Sequence, residues 1–414
     1  MRAVLRLRLS AAELRGQLVV LLLALWSVTV VNWATPTWTM RSGQIKGTDF
    51  VHFHSLARLA AAGEIADFGD PGAVRRAQLA ALPQSADAWF PPVYGPLISA
   101  VLSPLGFLSY GVALGVWIGC LVAAYFWSVA QVLWSSALLR RHAKTVLIGA
   151  AAFPPFYQLI QHGQLSAIAL VAIVCSWRAL DRKRPVLAGA LLGILAYKPS
   201  LFGPVVLVLT AAGAWKLLLG AAVTVLAQVA ATLALVGTDG LVRFVGLFRD
   251  LLGLASALAA KPEQMHSLRS LWMLLVPSAS VALLLYALTA VAAVSLAAIV
   301  WRRSSVPAIQ YSALILATVL AAPHMYVYDL VILAPVWLWL VEWFLSSPVS
   351  PNVGRLLYAG YVAPLAAPFV TLLRVQPSVI CYAVLLAVTW RTTHRSAAPF
   401  TEIALRKDSA DTTP

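Results

Sequence analysis

Apolar runs of about 20 residues recur along the whole chain and are separated by short polar or basic connections. Runs of this length are typical of helices that cross a bilayer, whereas barrel strands would alternate apolar and polar residues. The pattern predicts an all-α polytopic membrane protein with about 10–13 membrane helices, some too short to cross fully. No small-residue cleavage site follows the first run, 17–31, so we expect an uncleaved first helix.

The longest polar stretch, 36–92, follows this first run. Apolar residues at helical spacing predict an amphipathic helix over 49–63, of the kind that lies flat at a membrane interface. GDPG at 69–72 indicates a turn, and a second short helix is predicted over 73–82. The tandem prolines of WFPPVYGP, 89–96, are typical of the first turn of a helix.

The segment 93–139 predicts two helices broken near SPLGFLSYG, one of which does not fully span. Two full crossings would place the basic cluster that follows on the wrong side of the membrane. Later helices are predicted over 145–158, 185–196, 217–236, 278–300, 306–322, 330–345, 356–372 and 377–391.

Composition agrees with this pattern. The 414 residues are 61% hydrophobic and 11% charged, with a mean hydropathy of +0.84, whereas soluble domains carry about a quarter charged residues. Cys120, Cys175 and Cys381 lie far apart in apolar runs and predict neither a disulfide framework nor a metal cluster.

The net charge of +15 could indicate nucleic-acid binding, but the basic residues cluster in short connections, as the positive-inside rule predicts. Placing the N-terminus and these clusters in the cytoplasm leaves two loops, 36–92 and 237–268, outside. We therefore expect one membrane domain, 1–391, a polar cytoplasmic tail, 392–414, and no nucleic-acid partner. The clusters are RRHAK (140–144), DRKR (181–184), WRR (301–303) and RTTHR (391–395).

Five polar motifs fall on the outer side in this topology. Polar groups at membrane depth are costly and usually face an internal cavity, so their shared side predicts one site. The motifs are GTDF (47–50), WFPPVYGP (89–96), QHGQ (161–164), YKPS (197–200) and APHMYVYD (322–329).

Asp49 is the candidate catalytic residue. A carboxylate at the outer membrane edge can accept a proton from an attacking hydroxyl group. The alternative is an N-terminal helix cap, because Thr48 or Asp49 precedes an apolar helical pattern.

Histidine and glutamine side chains are the next candidates for substrate binding. His52 lies one helical turn beyond Asp49 and would share its face. Gln161, His162 and Gln164 offer donors and acceptors for sugar hydroxyls, or form only a polar turn. No clustered-acid or HExxH pattern completes a metal site, so no metal is predicted.

Three cationic or titratable residues are candidates for phosphate binding. Lys198 lies deep in an apolar stretch, where an ammonium needs an anion or a cavity, or extends to the interface. Arg269 follows the second outer loop, and His324 follows a long apolar helix. His324 would bind phosphate or sugar, or would be an interfacial histidine beside Tyr326 and Tyr328. Asp329 is a possible partner for a base.

With these motifs in order, the chain resembles glycosyltransferase family 87 of the GT-C superfamily over roughly residues 15–390. Two departures bear on the acceptor: MHSL replaces an Asn-Gln-Ser type triplet, and FVHFHS replaces a tyrosine pair. The landmarks are GTDF with a helical stretch ending in Gly63, PPVYGPL, HGQLSAIAL, AGALLGILAYKPS, HSLRSL and APHMYVYD.

The resemblance implies a GT-C-type helical bundle whose first outer loop carries interfacial helices and the catalytic acid. It implies an inner-membrane enzyme of bacterial type that moves a sugar, usually mannose, from a polyprenyl-phosphate donor to a glycan or glycolipid acceptor on the periplasmic face. By that resemblance Asp49 is the catalytic base, and Lys198 and His324 lie around the donor phosphate. No cofactor is expected, since the lipid phosphate is already a leaving group, and a single displacement would invert the anomeric centre.

Two other classes of function remain open at this stage. A transporter or flippase for a lipid-linked substrate would use the same cavity, with Asp49 and Lys198 as binding charges. It would be expected to show internal repeats and polar motifs on both sides, which are not evident. A scaffold protein would use the motifs only to cap helices.

Overall fold

The protein is described by a computed structural model that covers residues 11–253, 261–346 and 351–395. These residues form 19 α-helices and no β-strand, which confirms the all-α prediction. In chain order the helices are α1 (Ala11–Trp33), α2 (Phe50–Ala61), α3 (Pro71–Ala81), α4 (Pro96–Gly106), α5 (Tyr110–Leu133), α6 (Ala137–Arg141), α7 (Ala143–Ala151), α8 (Pro154–His162), α9 (Ser166–Asp181), α10 (Pro185–Gly193), α11 (Pro199–Ala212), α12 (Trp215–Gly253), α13 (Leu268–Leu275), α14 (Ala279–Arg303), α15 (Pro307–Ala321), α16 (Ala334–Ser346), α17 (Pro351–Val362), α18 (Ala367–Leu373) and α19 (Pro377–Arg395).

Several helices have the length and composition of membrane spans, so the polytopic membrane assignment is confirmed. Four further apolar helices of the described chain are shorter, and the count of about 10–13 membrane helices stays a prediction. The five long apolar segments are Ala12–Trp33, Tyr110–Leu133, Trp215–Leu247, Ala279–Arg303 and Val327–Ser346.

The helices α4 and α5 form the broken pair that was predicted for 93–139. The chain leaves helical conformation between Gly106 and Tyr110, as expected for the SPLGFLSYG stretch. The 11 residues of α4 extend only about 16 Å, which is half of a bilayer core of about 30 Å. One member of the pair is therefore too short to span alone.

The stretch 36–92 contains the two predicted helices, α2 and α3. Helix α2 is enclosed on all sides, because every residue from Phe50 to Ala57 is buried. Gly106 of α4 lies so close that a Cβ there would stand 2.4 Å from the Ala57 carbonyl oxygen. Helices α3 and α4 pack against α2 and cover it, and its predicted position at the membrane interface stays a prediction.

The tandem prolines also differ from the prediction. Residues 86–95 run without helical structure, and α4 begins at Pro96 rather than at the Pro91–Pro92 pair. A residue before proline is biased away from helical angles. Both Phe90 and Pro91 precede a proline, which accounts for the absence of helix at this pair.

The stretch 237–268, predicted as the second outer loop, begins at a bend inside α12. Gly237 has φ 66° and ψ −179°, and the helix resumes after it and continues to Gly253. Phe244 in this outer part packs against Phe68 with ring centroids 5.4 Å apart. Helix α19 reaches Arg395, so the first residues of the predicted tail, 392–395, are helical. The rest of that tail, 396–414, lies outside the described residues.

Glycine contacts hold α10 against α12. A Cβ at Gly189 would stand 1.9 Å from the Leu217 carbonyl oxygen, and one at Gly220 would stand 1.9 Å from that of Val186. Small residues allow this close approach of helix backbones, as is common between membrane helices. The contact fixes the helix whose continuation, Ile194–Tyr197, leads directly to Lys198.

The helices run between a polar end and a basic end of the bundle. Helix α9 begins with the buried Ser166 and ends at Asp181, the first residue of the DRKR cluster. Helix α10 starts just after that cluster, and α15 ends shortly before His324. The polar motifs therefore meet at the ends of these helices that lie away from the basic connections.

Candidate functional site

The candidate site forms where five chain segments meet at the polar end of the bundle. They are the start of α2, the segment before α4, the turn between α8 and α9, the junction of α10 and α11, and the 3-10 helix Val327–Leu333. The contacts between these segments are described below, one residue group at a time.

The Asp49 side chain is directed away from the helix that follows it. Asp49 occupies the N-cap position of α2, yet its side chain makes no capping hydrogen bond. Its backbone N–H donates to the His162 carbonyl oxygen over 3.1 Å, which ties the start of α2 to the α8–α9 turn. The helix-cap interpretation of this carboxylate is therefore wrong.

Gln164 holds one oxygen of that carboxylate. Its Nε2 donates to Asp49 Oδ2 over 2.8 Å. Its Oε1 accepts from the Leu165 backbone N–H over 3.1 Å and from the Tyr94 hydroxyl over 3.3 Å. Because a backbone N–H can only donate, these partners set the orientation of the amide. No hydrogen bond from the described residues reaches Asp49 Oδ1, so this oxygen is open to a ligand hydroxyl.

His162 lies near the same carboxylate oxygen. Its Nδ1 is 3.7 Å from Asp49 Oδ2, beyond hydrogen-bond distance, and the two side chains are 25% and 27% exposed. The imidazole packs against Tyr328 at 5.3 Å between ring centroids. Gly163, which closes α8, has φ +65°, and a Cβ there would stand 2.8 Å from the Phe50 Cβ. Only glycine fits this left-handed position between His162 and Gln164.

Lys198 and Asp329 form a buried ion pair, which confirms that Asp329 partners a base. The ammonium contacts Asp329 Oδ1, and the two side chains are 9% and 0% exposed. Ser166 donates its hydroxyl to the same oxygen over 2.5 Å. The Tyr326 backbone N–H donates to Oδ2 over 3.3 Å. The carboxylate is thus held on both oxygens, and Lys198 is not a solitary cation at the site.

Tyrosine rings connect the two carboxylates. Tyr94 stacks toward Tyr197 at 6.1 Å, and Tyr326 lies 5.2 Å from Tyr328. Burial, and then the negative charges of Asp329 and Asp49, raise the pKa of Tyr94 well above its ordinary value. Burial and the same two carboxylates, with Asp49 the larger, also raise the pKa of Tyr326. Both phenols therefore stay protonated near neutral pH and act as hydrogen-bond donors.

His324 and Arg269 lie at the edge of the site beyond Tyr326. The His324 ring meets Tyr326 edge-on at 4.8 Å. Burial lowers the pKa of His324, with Asp329 opposing that effect and Lys198 and Arg269 adding to it. Arg269 Nη1 donates to the Pro323 carbonyl oxygen over 3.3 Å, and the guanidinium makes no ion pair within the described chain.

His52 takes no part in this polar arrangement. It is 5% exposed and packs beside Tyr94 in the interior, at 6.1 Å between ring centroids. Burial lowers the pKa of His52 to about 4, which the Phe90 backbone carbonyl only partly opposes. The expectation that it shares a working face with Asp49 fails because the residues of α2 beyond Asp49 turn into the core. Six predicted residues, in contrast, gather around the tyrosines: Asp49, His162, Gln164, Lys198, Arg269 and His324.

Three residues of the site were not singled out from the sequence. Tyr94 was part of a proline-rich motif, Ser166 was an ordinary residue of an apolar helix, and Tyr328 was assigned to the membrane interface. The signal for Tyr94 is its place inside the motif WFPPVYGP, and the signal for Ser166 is its position two residues after QHGQ. Their partners lie at least 70 residues away in the chain.

The model of glycosyltransferase family 87 matches residues 93–323 of this chain, which is more than half of its length. This match includes His162, Gln164, Lys198 and Arg269, and begins after Asp49. No curated protein and no solved structure matches the chain.

Proposed function

The chain belongs to glycosyltransferase family 87, and from that membership and the site geometry we propose that it transfers mannose from a polyprenyl-phosphate donor to an acceptor hydroxyl. Asp49 is the general base in this proposal. The acceptor is a glycan or a glycolipid. The observation that carries the proposal is the Asp49 carboxylate, with Oδ2 held by Gln164 and Oδ1 open.

A carboxylate held in this way suits proton abstraction. A general base needs one oxygen within hydrogen-bond reach of the attacking hydroxyl, and a fixed orientation keeps that oxygen in place. The 2.8 Å bond from Gln164 supplies the orientation. The partial exposure of the side chain, 27%, leaves room for the acceptor to approach.

The cationic edge of the site suits a leaving phosphate. Lys198 and Arg269 both lower the pKa of His324, so these two cations act on the same edge of the site. Positive groups arranged before the reaction stabilise the charge that develops on a departing phosphate oxygen. This is why we propose a phosphate-linked donor rather than a free sugar.

Asp49 is the single base in this proposal, and one base without a nucleophile favours a direct displacement. Attack by the acceptor oxygen forms a bond to the anomeric carbon, the bond from that carbon to the phosphate oxygen breaks, and the proton goes to Asp49. The described residues place no second carboxylate beside Asp49 that could serve as a nucleophile, because Asp329 is bound to Lys198. We therefore propose inversion at the anomeric centre.

We propose that the reaction takes place on the periplasmic face of a bacterial inner membrane. The basic connections indicate the cytoplasmic side, and the site motifs lie at the opposite ends of the helices. A polyprenyl tail stays in the bilayer, so a site beside the membrane is required for such a donor.

The test is sugar transfer from labelled polyprenyl-phosphate-mannose in membranes that carry the wild type or Asp49→Asn at matched amounts. Loss of a general base is expected to lower the rate about a hundred- to ten-thousandfold. Asp87→Asn, which changes an exposed acid of the same outer loop, is the control and should transfer at the wild-type rate.

Each result of this assay has a distinct meaning. Equal transfer by wild type and Asp49→Asn would remove Asp49 from the mechanism, and a product with retained configuration would rule out single displacement. Movement of the labelled lipid across the membrane without a new glycosidic bond would favour a flippase.

A further inference from the structure

The Lys198 ammonium has unused hydrogen-bond donors in a nearly closed place. An ammonium carries three N–H donors, and within the described chain Asp329 is its only hydrogen-bonding partner. The side chain is 9% exposed, and Nζ lies 5.5 Å from the Tyr328 ring centroid. A further acceptor, such as a phosphate oxygen, would complete the coordination of this cation.

Asp329 cannot turn away from Lys198. It is completely buried, and it accepts hydrogen bonds from Lys198, from the Ser166 hydroxyl and from the Tyr326 backbone N–H. Any phosphate that reaches Lys198 must therefore share the ammonium with a fixed negative charge. Low solvent exposure makes the repulsion between that charge and the phosphate strong.

The charge of the phosphate changes during the transfer that we propose. The donor is a phosphodiester with one negative charge. When the bond from the anomeric carbon to oxygen breaks, the phosphate oxygen keeps the electron pair, and polyprenyl phosphate leaves as a monoester with a charge of about −1.5 to −2 at pH 7. The acceptor proton goes to Asp49, so atoms and charge balance.

We propose that Asp329, a fixed negative charge beside Lys198, weakens the binding of the polyprenyl phosphate product more than it weakens the binding of the donor. Its repulsion grows with the negative charge of the ligand, so it acts more strongly on the product than on the donor. Without it, the same cation would bind the monoester more tightly and slow its release. This inference rests on the proposed function.

The main experiment compares Asp329→Asn with the wild type in initial-rate assays on the full chain, with polyprenyl phosphate added as product inhibitor. We expect the inhibition constant of polyprenyl phosphate to fall about tenfold when the carboxylate charge is removed. We also expect kcat to fall and KM for the donor not to rise. A residue that only oriented Lys198 would give the opposite result, a weaker product complex and a higher KM.

Two further variants separate the effect of the Asp329 charge from the effect of the hydrogen bonds that hold it. Asp329→Glu keeps the charge and should return the inhibition constant toward the wild-type value. Ser166→Ala removes the 2.5 Å hydrogen bond without changing charge, and should leave the ratio of product to donor affinity as in the wild type. An unchanged or raised inhibition constant in Asp329→Asn, with an active enzyme, overturns the proposal.

A measurement on the wild type alone covers the case in which Asp329→Asn does not fold. We expect polyprenyl phosphate to bind no more tightly than the donor, despite its greater charge. Product binding more than about tenfold tighter than donor binding overturns the proposal. Failure of the wild type to transfer sugar at all would instead contradict the proposed function.

Discussion

The two carboxylates of the site, Asp49 and Asp329, differ in almost every respect except their chemistry. Asp49 is 27% exposed, and a neutral amide holds one of its oxygens. Asp329 is fully buried and is held by an ammonium, a hydroxyl and a backbone N–H. Both oxygens of Asp329 already accept hydrogen bonds, whereas Asp49 has one oxygen without a partner among the described residues. The site thus has one carboxylate at its rim placed to meet an acceptor hydroxyl and one in its interior placed to hold a cation.

The largest expected difference between the two is in stability. Asp329→Ala leaves Lys198 as a buried charge without a counter-ion, and should lower the free energy of unfolding by about 3–5 kcal/mol. Asp49→Ala removes one hydrogen bond at a partly exposed position, and should cost about 1 kcal/mol or less. Thermal unfolding of both variants in detergent measures the difference. Equal losses of unfolding free energy in the two variants would show that the Lys198–Asp329 pair does not stabilise the fold more than Asp49 does.

A second prediction concerns the interior histidines, His52 and His266. Burial lowers the pKa of each from 6.5 to about 4. The unfolded chain therefore binds more protons than the folded protein between these values. The contribution of the two histidines to the free energy of unfolding is fully present above pH 6.5 and is lost as the pH decreases toward 4. His52→Leu should reduce this slope, as measured by unfolding at several pH values. A slope identical to that of the wild type would place the acid sensitivity elsewhere.

A third prediction replaces the neutral partner of Asp49 by a charged one. Gln164→Glu replaces the amide donor by a second carboxylate next to Asp49 Oδ2. Like charges this close disfavour ionisation, so the acidic limb of the pH–rate profile should move up by about one unit or more. Initial rates between pH 4 and 9 test this, with Asp87→Asn as the unshifted control. A profile like that of the wild type would mean that Gln164 does not set the properties of Asp49.

Ser166→Ala is expected to have a smaller effect on stability than Asp329→Ala. The loss of its hydroxyl leaves Asp329 with the Lys198 and Tyr326 contacts. Stability should fall by about 1–3 kcal/mol, as for a hydrogen bond to a charged group. A loss as large as that of Asp329→Ala would indicate that the hydroxyl, not the ion pair, is the main support of the carboxylate.

Much of the architecture could be predicted because a bilayer imposes strong rules on sequence. Long apolar runs gave the helices, and the separation of polar motifs from basic connections placed the candidate residues at one end of the bundle. Asp49, Lys198 and His324 were chosen because charged or titratable residues are rare near such helices. These arguments need no knowledge of which helices touch.

The partners of those residues required the structure. Gln164 is 115 positions from Asp49, and Lys198 is 131 positions from Asp329. Periodicity shows which face of a helix is apolar, but not which neighbour covers the other face. For the same reason the sequence did not show that α3 and α4 cover α2, and His52 was expected beside Asp49 and lies in the core.

The glycine contact between α10 and α12 limits which substitutions can be tolerated in this part of the sequence during evolution. Gly189 lies about 13 Å along the helix from the residue that carries the ammonium, and even one added methyl group would meet the Leu217 carbonyl 1.9 Å away. A substitution there would separate the helices and shift Lys198 without touching any reacting group. Inherited variation in this part of the chain is therefore limited by the fit of two backbones as well as by chemistry.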